Sequence, residues 1–255
     1  MVMRFASLGS GSKGNCSIVE FDGTTILIDC GFGARAACDR LELLGKSPSE
    51  ISAILVTHEH SDHWKGVEAL SSKYNIPVYL SAGTFRARNM SAVSDSYIII
   101  DSHNDFTVGS LSITPVPVPH DAFEPLQFVV FSRHHRLGFL TDLGHYTSHV
   151  VSLYNGCDAL LLETNYDDDM LACGPYPQFL KERVSGPFGH LSNHQASDLL
   201  RKLDLSRMQF LLAGHVSGKN NHTERVLEAL SADVIGSIPL CIVGQAGVTP
   251  WFELV

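Results

Sequence analysis

The sequence predicts a layered α/β fold, on three observations. Short apolar runs such as Ile54–Thr57, Asp158–Leu162 and Gln209–Ala213 read as buried strands. Helix-like stretches, among them Ala34–Leu44 and Val67–Tyr74, fall between such runs. Residues able to hold a metal or move a proton stand just past five strand ends. That rim is where layered α/β folds keep their sites.

Composition bounds the rest. The 255 residues contain no Pro- or Ser-rich tract, charge block or low-complexity run, so a single domain over 1–255 is expected. With 44% hydrophobic and 18% charged residues the chain is ordinary globular material. At this length it buries roughly three quarters of its unfolded surface. The six cysteines are scattered without a C-x-x-C pair, which argues against a thiolate zinc knuckle and a secreted disulfide framework. MVMRFASLGSGSKGN has no apolar signal-peptide core, and no run nears the ~20 residues that span a bilayer. A soluble, cytoplasmic protein with no membrane partner is therefore expected. A net charge of −9 counts against a high-affinity nucleic-acid binder. It still allows an enzyme that visits nucleic-acid ends through metals and a local basic groove.

In chain order, Arg4–Leu8 reads as a strand running into GSGSKGN, a glycine-rich turn too short of features to be a phosphate cradle. Cys16–Phe21 and Thr24–Asp29 are strands joined by Asp22-Gly23, a strong hairpin signal. Asp29 either orients the histidine loop that follows or caps a turn. Ala34–Leu44 reads as a helix. The central stretch is ILVTHEHSDH, where a buried strand ends and His58, His60, Asp62 and His63 fall within six positions. Imidazole nitrogen and carboxylate oxygen are the ligands that borderline divalent metals prefer. In an extended turn His58 and His60 point to one side. Asp62 and His63 sit where the chain curls into a helix and point to a second position. One turn thus offers ligand pairs to two adjacent metals.

Further on come a helix at Val67–Tyr74, a strand at IPVYLS and a short helix at Thr84–Met90. Tyr97–Ile100, Asp105–Val108 and Leu111–Val116 read as strands. Pro115, Pro117 and Pro119 then hold the chain extended into His120, the expected third histidine ligand. Leu126–Ser132 and Arg136–Leu140 form a hairpin with Arg133, His134 and His135 at its turn. Asp142 follows at a strand end before a glycine, where one carboxylate can bridge two metals; His145 and His149 belong to a helix start. Glu163 leaves a buried strand on the same rim, and Asp167, Asp168 and Asp169 cap a helix or face solvent. His190 sits in a glycine turn before a helix capped by Ser192 or Asn193. His215 repeats the pattern of apolar strand, glycine and ligand, before a last helix at Thr223–Leu230.

The motif H-x-H-x-D-H, with Asp29, His120, Asp142 and His215 in order, resembles the metallo-β-lactamase superfamily along nearly the whole chain. LGSGSKGNC, PHDAFEP, TDLG, MLACGPYPQFLKERV, GHLSN and the closing H-x-S-x-x-N-N resemble its WalJ/YycJ-type branch. That resemblance implies an αββα sandwich and a metal-dependent 5′-exonuclease acting on DNA ends, in DNA repair. It implies that His58, His60 and His120 hold one divalent ion, that Asp62, His63 and His215 hold a second, and that Asp142 bridges them. Zinc, manganese or iron suits a set of histidines and carboxylates without cysteine. Glu163 and His190 occupy places comparable to a proton-shuttling pair in tRNA 3′-processing relatives, and join Asp62 as the catalytic candidates. Lys181, Arg183, Ser217 and Lys219 are candidate phosphate contacts. One departure is Asn165-Tyr166-Asp167, where the branch carries Asn-His-Asp; the long arm of the tRNA enzymes is absent too. The alternative is a phosphodiesterase for small cyclic or short phosphodiesters. A thioesterase or lactonase fits less well, because PVPVPHDA lacks the glycine those branches carry before the third ligand.

Overall fold

The computed structural model describes residues 2–89 and 96–255. The first sheet is built from β1 (Met3–Gly9), β2 (Cys16–Phe21), β3 (Thr24–Ile28), β4 (Ala53–Leu55), β5 (Val78–Ser81) and β6 (Tyr97–Ile100). Helices α1 (Ala34–Leu43), α2 (Ser61–Trp64), α3 (Val67–Tyr74) and α4 (Ala82–Ala87) join its later strands. The second sheet comprises β7 (Phe106–Val108), β8 (Leu111–Pro117), β9 (Leu126–Phe131), β10 (Arg136–Leu140), β11 (Ala159–Glu163), β12 (Phe210–Gly214) and β13 (Leu240–Ile242). Its connections carry α5 (Ser148–Tyr154), α6 (Asp168–Cys173), α7 (Gln178–Val184), α8 (Asn193–Leu200), α9 (Thr223–Ala229) and α10 (Ala232–Ile235). The last strand, β14 (Phe252–Leu254), returns to the first sheet beside β1. Strand order is β14-β1-β2-β3-β4-β5-β6 in one sheet and β13-β12-β11-β10-β9-β8-β7 in the other.

Period-2 alternation with both faces apolar explains the layering. On β11, Ala159 and Leu161 face an inner core shared with the first sheet, while Leu160 and Leu162 face an outer core with Val150, Leu199 and Val226. On β2, Val19 joins the inner core and Ile18 the outer core beneath α1 and α3, with Leu41 and Leu70. Helices therefore cover both outer faces of two stacked sheets. This is the αββα sandwich that the family resemblance implied.

Local details follow from residue chemistry. Asp22 and Gly23 both have positive φ (46° and 77°), as a tight two-residue hairpin turn requires. β7 pairs β8 only as far as Ile113, so Pro115 and Pro117 lie where that edge of β8 needs no amide donor. β3 stops at Ile28 because Asp29 turns left-handed (φ 60°) and leads the chain out of the sheet. The helix expected over Thr84–Met90 runs from Ala82 to Ala87, started by Ser81 Oγ accepting from the Thr84 amide; Met90 lies outside the described residues. β13, β14 and α10 were not anticipated from the sequence.

A half-buried ion pair on the first sheet offers a stability test. Arg4 and Glu20 are register partners on β1 and β2, and Arg4 Nε and Nη2 donate to Glu20 Oε1 at 3.0 and 2.7 Å. Lys46 also contacts Glu20. Partial burial opposes the charge on Glu20, but Lys46 and Arg4 outweigh it and lower its pKa. Glu20→Gln should cost about 1 kcal/mol at neutral pH. Because the folded pKa is lowered, that difference should persist above the ordinary carboxylate range and close as pH falls through the lowered value. Denaturant melts of both proteins across the acid range check it.

Candidate metal centre

The carboxyl ends of β3, β4, β10, β11 and β12 meet at one rim, where α/β sheets commonly bind ligands. The histidine loop leaves β4, and His60 is the residue before α2, so Asp62 and His63 lie on its first turn. Backbone bonds clamp this loop: Asn15 N donates to Asp62 O (2.7 Å), Cys30 N to His63 O (2.9 Å) and Gly66 N to Cys30 O (2.8 Å). The clamp leaves no room at Gly31, where a Cβ would stand 1.6 Å from the Asp62 carbonyl oxygen. Gly31→Ala should therefore displace the loop, destabilise the fold by about 1–3 kcal/mol and cut metal uptake. Thermal melts and elemental analysis would check both effects.

All nine predicted site residues come together. His58, His60 and His120 form one donor group, with His60 Nδ1 3.3 Å from His120 Nε2 and ring centroids 4.5–5.1 Å apart. Asp142 belongs to two more, one with His58 and His63 and one with Glu163, His190 and His215. Its Oδ1 lies 3.0 Å from His215 Nδ1 and its Oδ2 3.1 Å from His63 Nε2. Asp62 sits beside these groups, 3.5 Å from His63 Nε2 and 3.8 Å from His215 Nε2. Asp29, Asp142 and His215 all adopt left-handed backbone (φ 60°, 54° and 54°) just past strand ends. Asp and His tolerate that region better than most residues, and such strain concentrates at functional sites.

The far nitrogen of each anchored ring is fixed from behind. His63 Nδ1 lies 2.7 Å from Asp29 Oδ2, and Asp29 also accepts from the Thr57 amide and hydroxyl at 2.8 Å. Thr57 Oγ1 stands 3.0 Å from His58 Nδ1 as well. His120 Nδ1 donates to Gly189 O at 3.1 Å. His58 Nε2 and His120 Nε2 are thereby turned to the centre, as is His63 Nε2, which also lies 3.1 Å from Asn15 Nδ2. Among the described residues buried His58 Nε2 has no hydrogen-bond partner, and buried Asp142 Oδ2 meets only the His63 ring, at 3.1 Å. An orphaned donor of this kind, in a buried histidine and carboxylate set without cysteine, fits a divalent metal.

Electrostatics sort the histidines. Burial favours the neutral ring and prevails at His58 and His120, whose pKa values are lowered. At His63 burial is outweighed by Asp142 and Asp29, and the pKa rises well above normal. At His215 it is outweighed by Asp142 and Glu163, which hold the ring to about 10. Burial likewise opposes charge on Asp142 and Glu163, yet the neighbouring histidines keep Asp142 well below the carboxylate range and Glu163 at about 2. His190 Nδ1 donates to Glu163 Oε1 at 2.8 Å, and that carboxylate raises its pKa against the effect of burial. The same Oε1 accepts from His215 Nδ1 (2.9 Å), while Oε2 takes the amides of Leu143 and Leu191 (3.2 and 3.1 Å).

Other expectations sort less evenly. His145 bonds Pro187 O and stays exposed, and His149 lies on α5; both stand outside the donor groups. Asp167 caps α6 and Ser192 caps α8. Lys181 donates to Ala172 O, Lys219 covers the Tyr176 ring, and buried Ser217 accepts amides of its own turn. Of the four proposed phosphate contacts, Arg183 approaches the donors, with Nε 2.6 Å from Asp121 Oδ2. Sequence reasoning gave no role to Asn15, Thr57 or Asp121. Asn15 Nδ2 lies 3.3 Å from Asp62 Oδ2, and Asp121 Oδ1 lies 3.4 Å from His120 Nε2. Their signal was adjacency: Thr57 and Asp121 flank ligands, and Asn15 closes the glycine-rich turn.

Comparison with known proteins agrees with this architecture. Residues 24–211 match the family model of the β-lactamase superfamily domain. The chain is 31% identical over 227 residues to exodeoxyribonuclease YycJ of Bacillus anthracis, covering 88% of this chain and 86% of that one. It is also 31% identical to exodeoxyribonuclease WalJ of Streptococcus pneumoniae, covering 87% and 84%. Among solved structures, the metallo-β-lactamase fold protein YhfI from Bacillus subtilis superposes with a TM-score of 0.75 at 16% identity, over 99% of this chain and 100% of that one. Human tRNase Z, short form, gives 0.64 at 18% identity over 96% and 98%.

Proposed function

The chain belongs to the metallo-β-lactamase superfamily, in the branch of the YycJ and WalJ exodeoxyribonucleases, and from that premise we propose a binuclear phosphodiesterase that removes nucleotides from the 5′ end of DNA. Residues 1–255 act in this reading as one domain. The observation that carries it is the Glu163–His190 bond beside the donor groups, which supplies a protonated imidazole for a poor leaving group. His58, His60 and His120 would hold one divalent ion, Asp62, His63 and His215 a second, and Asp142 would be shared between them; zinc, manganese and iron are the candidates. When bound, the two ions supply Lewis acidity and a water acidified toward neutrality.

The chain's own residues do the remainder. Asp29 and Thr57 fix the His63 ring so that Nε2 faces the carboxylates. Asp62 is the carboxylate that takes the proton of the attacking water. His190, charged against Glu163, gives the proton on Nε2 to the leaving sugar oxygen while Nδ1–H stays bound to Glu163. The family and the site support cleavage of DNA ends, and the role we propose for that cleavage is DNA repair. Among the described residues no helix is long and apolar enough to cross a membrane. The net charge of −9 favours a second reading, in which the same ligands act on small cyclic or short phosphodiesters.

The test is digestion of 5′- and 3′-labelled single- and double-stranded DNA and RNA by metal-stripped protein reloaded with manganese or zinc. Stepwise loss from the 5′ end of DNA, absent in Asp142→Ala, is the expected result. Turnover of a cyclic dinucleotide with no cleavage of DNA would replace this reading by the second.

A further inference from the structure

We propose that Phe123, Phe179 and Phe188 form an aromatic rim that stacks the unpaired bases of a DNA end beside the metal centre. The proposal rests on the nuclease reading above and adds how the strand is gripped. Of the 13 phenylalanines these three are exposed, by 76%, 71% and 57%. A single exposed ring is common on protein surfaces. Here all three belong to the segments that carry His120 and His190 or pack against them.

Phe123 follows His120 by three residues, and its amide donates to Glu59 Oε1 at 2.9 Å, between His58 and His60 in sequence. Phe188 precedes His190 by two, and its carbonyl accepts from the Asp121 amide at 3.0 Å. Phe179 stands one helical turn from Arg183 on α7, and Arg183 Nε donates to Asp121 Oδ2 at 2.6 Å. α7 is locked to the His190 turn, since a Cβ on Gly189 would come within 2.2 Å of Val184 O and 2.3 Å of Arg183 O. The backbones that bear the rings are thus tied to the donors, with one guanidinium among them.

Chemistry selects the occupant. Every base has a π-face, so stacking grips a strand without reading its sequence, and an interleaved arginine adds a cation. A protein of net charge −9 gains little from general phosphate neutralisation, the usual source of strand affinity. Paired bases inside a duplex hide their faces, so the rim favours single-stranded or frayed ends.

Fluorescence anisotropy of the chelator-treated 255-residue protein would compare a short oligothymidine with the same backbone lacking its 5′-terminal bases. Wild type should bind the intact strand about tenfold more tightly or better. Phe123→Ala and Phe188→Ala should each weaken the intact strand by roughly 5- to 100-fold and leave the abasic strand unchanged. Phe123→Leu, apolar but without a ring face, should behave like the alanine variant, and Phe123→Trp should restore binding. Equal affinity for both strands, or equal losses on both, would overturn the rim, as would variants that bind both strands like wild type. Cleavage by metal-loaded wild type, run alongside, separates the two failures. Cleavage without preference for the intact strand rejects the rim alone, whereas no cleavage of either strand with either metal rejects the nuclease reading beneath it.

Discussion

Asp142→Ala is expected to lose metal and phosphodiester cleavage together, by more than the about 10²–10⁴-fold that removal of a single proton donor costs. Asp142 is 2% exposed and is shared by two donor groups, so both halves of the site depend on it. Its two oxygens face His215 Nδ1 at 3.0 Å and His63 Nε2 at 3.1 Å. Without that carboxylate both rings lose the charge that now raises their pKa, and burial works against them unopposed. Alanine is also poor in the left-handed backbone that Asp142 adopts, at a cost of about 1–2 kcal/mol. Asp142→Asn separates the two effects, because asparagine tolerates that backbone and keeps the volume while removing the charge. Elemental analysis and turnover of labelled DNA should show both variants nearly metal-free and inactive, with only Asp142→Ala melting markedly lower. Either variant keeping both metals and activity would sink the bridging assignment.

Local signals made much of this legible. Strand β4 and its exit compress His58, His60, Asp62 and His63 into one turn, so their chemistry shows without tertiary information. His120, Asp142, Glu163, His190 and His215 each stand near a strand end or a glycine, which is a local pattern as well. What stayed hidden depends on contacts distant in sequence. β14 pairs β1 across almost the whole chain, and its three residues lie between Pro250 and the terminus with no periodicity to read. Asn15 reaches Asp62 only because the glycine-rich turn folds over the histidine loop. At Asp29, Asp142 and His215 the left-handed residue is not itself a glycine, so residue type does not announce the turn. Lys181 and Ser217 looked like phosphate contacts from their neighbours, but an adjacent carbonyl and adjacent amides had already engaged them.

His190→Asn should lower the rate on DNA by about 10²–10⁴-fold with the metal content unchanged. The separation matters because His190 shares a donor group with Asp142, Glu163 and His215, so geometry alone allows it to be a ligand. Exposure favours the proton donor: Nδ1 of both His190 and His215 bonds Glu163 Oε1, at 2.8 and 2.9 Å, but the His190 side chain keeps 23% exposure where His215 keeps 3%. A ring that must meet a leaving oxygen needs that opening, whereas a ligand is better held closed. Leaving-group dependence makes the distinction sharp. A sugar alkoxide needs the proton and a nitrophenolate does not, so a nitrophenyl phosphodiester should be cleaved by His190→Asn at close to the wild-type rate. The pH profile gives a second sign. Glu163 raises the His190 pKa, so the active proton is present below that raised value and is lost as pH climbs through it. Wild-type turnover of DNA should fall on that alkaline limb, and His190→Asn should lack the fall. Glu163→Gln should bring it to lower pH, while also loosening His215, whose Nδ1 bonds the same carboxylate oxygen at 2.9 Å. Loss of metal from His190→Asn, or equal losses on DNA and on the nitrophenyl ester, would make His190 a ligand and leave the leaving group without its acid.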